Sequence, residues 1–171
     1  MMYSVIYLFS MMIILSSCFS SERGQGNHEV SATIIEQQDT IVKIKKSEEE
    51  WREQLTKDQY KITRKKQTEK AFTGRYWDNY SEGTYFCVCC DLPLFSSKTK
   101  FKSGTGWPSF YAPIKGIYVE EFSDYELGYK RTEVLCSRCD AHLGHVFSDG
   151  PKPTGLRYCL NSAALTFRNK K

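Results

Sequence analysis

What this sequence lacks narrows its reading before any motif is considered. Positive charge is not in excess, since 24 Lys and Arg against 20 Asp and Glu leave a net charge of only +4. With the two signs mixed along the chain, no nucleic-acid partner is expected. There is no internal repeat apart from a duplicated Cys-x-x-Cys, and nothing points to an oligomer, so a monomer is the default. No charged side chain occurs from Met1 to Leu15, and no Lys or Arg precedes that apolar run. What is present suffices for a packed core: 171 residues, 40% hydrophobic and 14% aromatic, fit one domain and exclude global disorder.

The apolar run is too short for a comfortable spanning helix and has the length of a signal-peptide core. Leu15-Ser16-Ser17-Cys18 follows it and resembles the lipobox of bacterial lipoproteins, which are cut before a Cys whose sulfur becomes lipid-modified. Residues 1–17 are therefore expected to be a signal peptide and Cys18 a lipidation site. An ordinary cleaved signal or an uncleaved anchor is the alternative, because the usual leading basic residues are missing. Phe19 rather than Asp after Cys18 favours, by the same resemblance, the outer membrane of a two-membrane bacterium. From Ser20 to about Lys46 the chain is polar and lacks clear periodicity. Residues 18–46 thus read as a lipid-anchored tether, with Val30–Ile35 either a short extended piece or a strand added to the fold.

Structure is expected to begin with two capping boxes in succession. Ser47 with Glu50 opens a helix over about 48–55, and Thr56 with Gln59 opens another over about 57–66. Trp51, Leu55 and Tyr60 supply their apolar contacts. Beyond Phe72 helix signals fade. Thr84–Val88, Ile117–Glu120, Arg131–Leu135 and Leu156–Leu160 are rich in β-branched and aromatic residues, separated by Gly, Pro, Asn and Asp clusters. A mainly β, antiparallel assembly follows, with the short helices packed on it.

Cys87-Val88-Cys89-Cys90 and Cys136-Ser137-Arg138-Cys139 form paired knuckles. Cys87, Cys90, Cys136 and Cys139 can close a tetrahedron around one Zn²⁺, each tight turn presenting two sulfurs. A shell filled by protein would be structural. Two disulfides are the alternative, favoured by an exported compartment, and Cys89 in place of Cys90 is a further ambiguity. Cys159 is left over. On a strand Arg157, Cys159 and Asn161 share one face, and a cation beside a thiol favours the nucleophilic thiolate. A buried structural Cys is the competing reading. His142 and His145 follow the second knuckle and could lower the thiol pKa or supply a proton. Trp107, in a Gly-Pro loop, is either a core anchor or a binding wall.

Taken with Glu49-Glu50-Trp51, Phe72–Trp77, Cys87–Phe95, Ser103–Phe110, Arg131–Val134, Cys136–His145 and Gly155–Ser162, these pieces resemble the B-type methionine-R-sulfoxide reductases. The strings occur in order over about residues 47–168, so residues 47–171 are expected to be that domain. The resemblance implies two facing antiparallel sheets, stapled by zinc in a β-tent-like arrangement, with N-terminal helices. It implies reduction of the R epimer of methionine sulfoxide in peptides and proteins, with Cys159 attacking the sulfoxide sulfur and becoming a sulfenic acid. By the same pattern His142 and His145 line the pocket and one supplies the proton. Trp107 packs on the substrate methyl, Asp149 and Arg157 tune the polar wall and the thiolate, and Asn161 holds substrate or a water. Some members carry a resolving Cys where this chain has Thr105. Reduction directly, or by way of Cys89, by a thioredoxin-type partner is expected instead. A thiol–disulfide oxidoreductase and a non-enzymatic zinc-ribbon module are the competing classes. For the N-terminus, labelled fatty acid is expected to enter the full-length chain in a two-membrane bacterium, and Cys18→Ala to release it from membranes. Membrane binding that survives the substitution would overturn the anchor.

Overall fold

The computed structural model describes residues 40–125 and 128–170. The expected signal peptide, Cys18, the Val30–Ile35 piece and most of the tether lie outside the described residues. Among the described residues no helix is long and apolar enough to cross a membrane.

Both capping boxes form. Ser47 accepts from the Glu50 N–H at 3.2 Å while the Glu50 carboxylate accepts from the Ser47 N–H at 2.7 Å, opening α1 (Glu48–Gln54). Thr56 and Gln59 repeat the exchange at 3.3 and 3.0 Å for α2 (Lys57–Lys65). Satisfying these otherwise orphaned donors is worth roughly 1 kcal/mol per cap. Lys66 then takes a left-handed conformation, φ 55°, and ends α2. Trp51 carries α1 into the core and is only 2% exposed, with the Arg64 guanidinium 4.9 Å from its ring.

These helices also reach the knuckles. The Gln54 amide donates to the Cys89 carbonyl at 2.6 Å and the Arg64 guanidinium to the Cys139 carbonyl at 2.7 Å, so each helix holds one knuckle. The expected tether also ends earlier than Lys46. Ile41 and Ile44 pack on the core, the Ile44 N–H donates to the Arg138 carbonyl at 2.6 Å, and Lys43 bridges Asp140 and Glu120. Two apolar side chains, a backbone hydrogen bond and the Lys43 ion pairs together dock this short segment.

Nine strands follow among the described residues: β1 (Gly83–Cys87), β2 (Pro93–Ser96), β3 (Lys100–Phe101), β4 (Ser109–Phe110), β5 (Val119–Asp124), β6 (Arg131–Cys136), β7 (His142–Phe147), β8 (Arg157–Leu160) and β9 (Leu165–Asn169). They form two antiparallel sheets, ordered β2-β1-β9 and β3-β4-β8-β7-β6-β5. The sheets meet through aromatic rings. Tyr85 of β1 stands edge-on to Phe110 of β4 at 5.0 Å, and Phe95 of β2 lies 4.8 Å from Phe110 and 5.6 Å from Tyr158 of β8. Such offset contacts each add roughly 0.5–1.5 kcal/mol beyond burial.

The β6–β7 register decides where the histidines point. Val134 pairs with Gly144 and Leu135 with His142, so Leu143 is an extra residue in β7. Residues three apart on a regular strand face opposite ways. The bulge restores them to one side, leaving the His142 and His145 rings 5.4 Å apart. Gly144 makes the kink possible. A Cβ there would stand 2.1 Å from the Cys159 carbonyl oxygen, at φ +154°, so only glycine lets β8 approach so closely.

Candidate active site

Two separate thiol sites emerge. Each knuckle is a tight turn closed in the same manner. The Asp91 N–H donates to the Cys87 carbonyl and the Asp140 N–H to the Cys136 carbonyl, both at 2.9 Å, with Asp91 and Asp140 left-handed at φ 61° and 57°. The turns face each other. The Sγ atoms of Cys87, Cys90, Cys136 and Cys139 all lie within 4.8 Å of one another, with Cys87–Cys139 at 3.6 Å and Cys90–Cys136 at 3.5 Å. A disulfide needs about 2.05 Å, whereas four sulfurs bound at about 2.3 Å to one tetrahedral ion stand about 3.8 Å apart. The separations fit a metal.

The donor chemistry agrees. Crowded together, the four thiols interact strongly through hydrogen bonds. Hydrogen bonds from Cys136, Cys139 and Cys87 hold Cys90 far below its ordinary range, while bonding to Cys136 and Cys139 pushes Cys87 far above it. Cys89 is buried beside this cluster but outside the set of four.

Cys159 lies elsewhere, on β8 between Ser109 of β4 and His145 of β7. It opens on a pocket of about 150 Å³ whose walls include Trp107, Arg131, His145, Phe147 and Asn161. The Thr105 hydroxyl is 3.8 Å from its sulfur. Arg157 forks onto Asp149, Nε–Oδ1 2.8 Å and Nη2–Oδ2 2.9 Å, holding that carboxylate below its usual range. It also stacks on Phe147 at 4.4 Å. Burial pushes the Cys159 thiol above its ordinary value. The Thr105 hydrogen bond, the Arg157 charge and Ser109 act the other way and are outweighed. Arg157 thus favours the thiolate, as a neighbouring cation does, while burial outweighs it.

The histidines divide. His145 lines the pocket, with Nε2 2.8 Å from Asp124 Oδ2. Burial lowers its pKa, assisted by Arg131 and His142, against the pull of Asp124. His142 sits behind it, bordering a neighbouring hollow with Lys66 and Glu133. It is 2% exposed, Nδ1 donates to Glu133 Oε1 at 2.7 Å, and Nε2 is buried without a partner among the described residues. Burial would raise the Glu133 pKa, but His142 and Lys66 together bring it below normal.

Trp107 forms a wall, its indole N–H donating to the Glu69 carbonyl at 3.1 Å. Asn161 borders the pocket but is committed to backbone, accepting from the Glu69 N–H at 3.0 Å and donating to the Leu143 carbonyl at 3.2 Å. Asp149 is exposed and reaches the site only through Arg157. Glu69, Asp124 and Glu133 escaped sequence reasoning. Glu133 falls inside the Arg131–Val134 string, but one acid on a strand does not announce that it is buried against a histidine.

The fold and site define a class, a two-sheet β protein clasped by four cysteines with a separate pocket thiol on a central strand. A family model described as the SelR domain matches residues 55–169. The chain is 58% identical over 127 residues to the peptide methionine sulfoxide reductase MsrB of Hahella chejuensis, covering 74% of this chain and 91% of that one. It is 60% identical over 126 residues to that of Pseudomonas putida, covering 74% and 95%. It is 63% identical over 123 residues to the chloroplastic peptide methionine sulfoxide reductase B1 of Oryza sativa, covering 71% and 57%. The chain belongs to the SelR family, with the MsrB proteins.

One consequence concerns the thiol. Iodoacetamide alkylation of Cys159, followed against pH in the free protein, is expected to show a midpoint above that of an ordinary thiol, because burial disfavours the anion. Arg157→Ala should move it higher still. A midpoint below the ordinary range, or a downward move in Arg157→Ala, would contradict this electrostatic account.

Proposed function

We propose that this protein reduces the R epimer of methionine sulfoxide in peptides and proteins, with Cys159 as nucleophile. The carrying observation is a cysteine sulfur lining a pocket that is also walled by Trp107 and His145, in a chain of the SelR family.

Burial favours the protonated thiol and the uncharged imidazole beside it. With His145 Nε2–H directed at Asp124, Nδ1 is the basic nitrogen. Taking the Cys159 proton makes an imidazolium that the Asp124 carboxylate stabilises. The thiolate attacks the sulfoxide sulfur, and the same proton goes to the sulfoxide oxygen. Oxygen passes to Cys159 as sulfenic acid, and methionine leaves as the thioether. Two electrons from two external thiols, thioredoxin-type in our reading, then return Cys159 to the thiol and release water. Trp107 takes the substrate methyl, and Arg157 with Asp149 sets the polar rim.

Cys87, Cys90, Cys136 and Cys139 would hold one structural Zn²⁺, supplying a cross-link between the sheets rather than reaction chemistry. We read the N-terminus as exporting and lipid-anchoring this domain at a bacterial envelope, on the strength of the Leu15–Cys18 string.

The test offers R and S sulfoxides to wild type and Cys159→Ser with dithiothreitol. R-selective turnover is expected, falling on the order of 10³-fold or more in the variant. Activity that survives Cys159→Ser, or that prefers S, would overturn the proposal. Metal analysis should find about one zinc per chain, lost in Cys136→Ser and retained in Cys159→Ser. Zinc-free protein with oxidised knuckles would point to a thiol–disulfide oxidoreductase.

A further inference from the structure

The hydrogen bonds around Cys159 converge on a residue absent from the chemistry above. Glu69 lies in the short strap between α2 and Phe72. Its backbone N–H donates to Asn161 Oδ1 at 3.0 Å, and its carbonyl accepts the Trp107 indole N–H at 3.1 Å. Its carboxylate accepts from the Ser162 N–H at 2.6 Å and the Ala163 N–H at 3.0 Å. Those two donors open the 3₁₀ turn Ser162–Ala164, for which Asn161, the N-cap residue, provides no side-chain cap.

The arrangement is a capping box made between distant segments. Glu69 caps the turn after β8, and the N-cap asparagine takes the Glu69 N–H in return. Because the Glu69 carbonyl also holds the Trp107 indole, one residue fixes two pocket walls relative to Cys159. Gly74 closes the fit from outside. A Cβ there would stand 2.4 Å from Glu69 Oε1 and 2.3 Å from Ser162 Oγ.

We propose that Glu69, locked by Gly74, is a positioning residue that sets the Trp107 wall against the substrate sulfoxide. The sulfoxide part of this inference rests on the function proposed above; the geometric part does not. A carboxylate suits the task because it meets two N–H donors at once. The amide of Glu69→Gln would turn a donor toward one of them.

The test compares Glu69→Gln and Gly74→Ala with wild type by kcat/KM on an R-sulfoxide peptide with dithiothreitol. It also records the Trp107 indole N–H resonance, assigned by its loss in Trp107→Phe. Expected in both variants are a shifted indole resonance and a kcat/KM lower by roughly 10- to 100-fold, the scale of a small displacement of a positioned group. Glu69→Gln should add less than about twofold to the loss in Trp107→Phe, since residues acting through one contact are not additive. An unmoved resonance, a kcat/KM within about twofold of wild type in both variants, or losses that multiply with Trp107→Phe would overturn the proposal. If wild type itself left R sulfoxides untouched, the functional reading would fall with the substrate half of this one, and the resonance alone would judge the geometry.

Discussion

The meeting of two knuckles within 4.8 Å is the constraint from which the rest of the structure follows. One knuckle ends β1 in the smaller sheet and the other ends β6 in the larger, so their contact fixes how the sheets face. The parts that carry no strand are fastened to the same place: α1 through the Cys89 carbonyl, α2 through Cys139 and the 41–44 segment through Arg138. Four thiols that close repel one another as they ionise, and a bound cation reverses that sign. The free energy of metal binding in such sites is therefore folding free energy, of order 10 kcal/mol in small structural zinc modules. That exceeds what single caps or ring contacts add.

The pocket follows a different electrostatic logic, in which burial is set against local charge. Arg157 lies on the Cys159 face, yet its guanidinium is already forked onto Asp149. Arg157 still acts on the thiol, as do Thr105 and Ser109, but desolvation by burial is the larger effect and prevails. Behind the pocket the balance tips the other way. Glu133 is buried but receives His142 and Lys66 together and stays ionised. Two histidine–carboxylate pairs thus stand side by side, one at the pocket and one behind it. Only the bulge at Leu143 allows both to face the same way.

The sequence was most legible where chemistry is local. The capping boxes, the four knuckle cysteines, the period-two face of Arg157 and Cys159, and strands at 84–88, 131–135 and 156–160 could all be read because each signal spans a few residues. What was hidden depends on register. β7 carries a Gly and a bulge, so its two histidines showed a spacing that hides a shared face. Asn161 showed a polar side chain beside the thiol but not that backbone groups had already taken its amide. The two-residue strands β3 and β4 are too short for any periodicity. Asp124 and Glu69 become site residues only through pairings with residues distant in sequence.

Thr105 shows how the two sites bear on one another. Its hydroxyl stands 3.8 Å from the Cys159 sulfur, where a thiol would be close enough to need only a small shift to form a disulfide. A hydroxyl can hydrogen-bond an oxidised sulfur but cannot accept it in a covalent bond. Cys89, the other unassigned thiol among the described residues, is buried against Cys87 and Cys139. It sits with the knuckle cysteines, on a different part of the fold from the Cys159 pocket, whose walls do not include it. Under the proposed chemistry, four of the described thiols serve the clasp and Cys159 serves turnover, so the two sites share no sulfur. The sulfenic acid on Cys159 would wait for a thiol arriving through the pocket mouth.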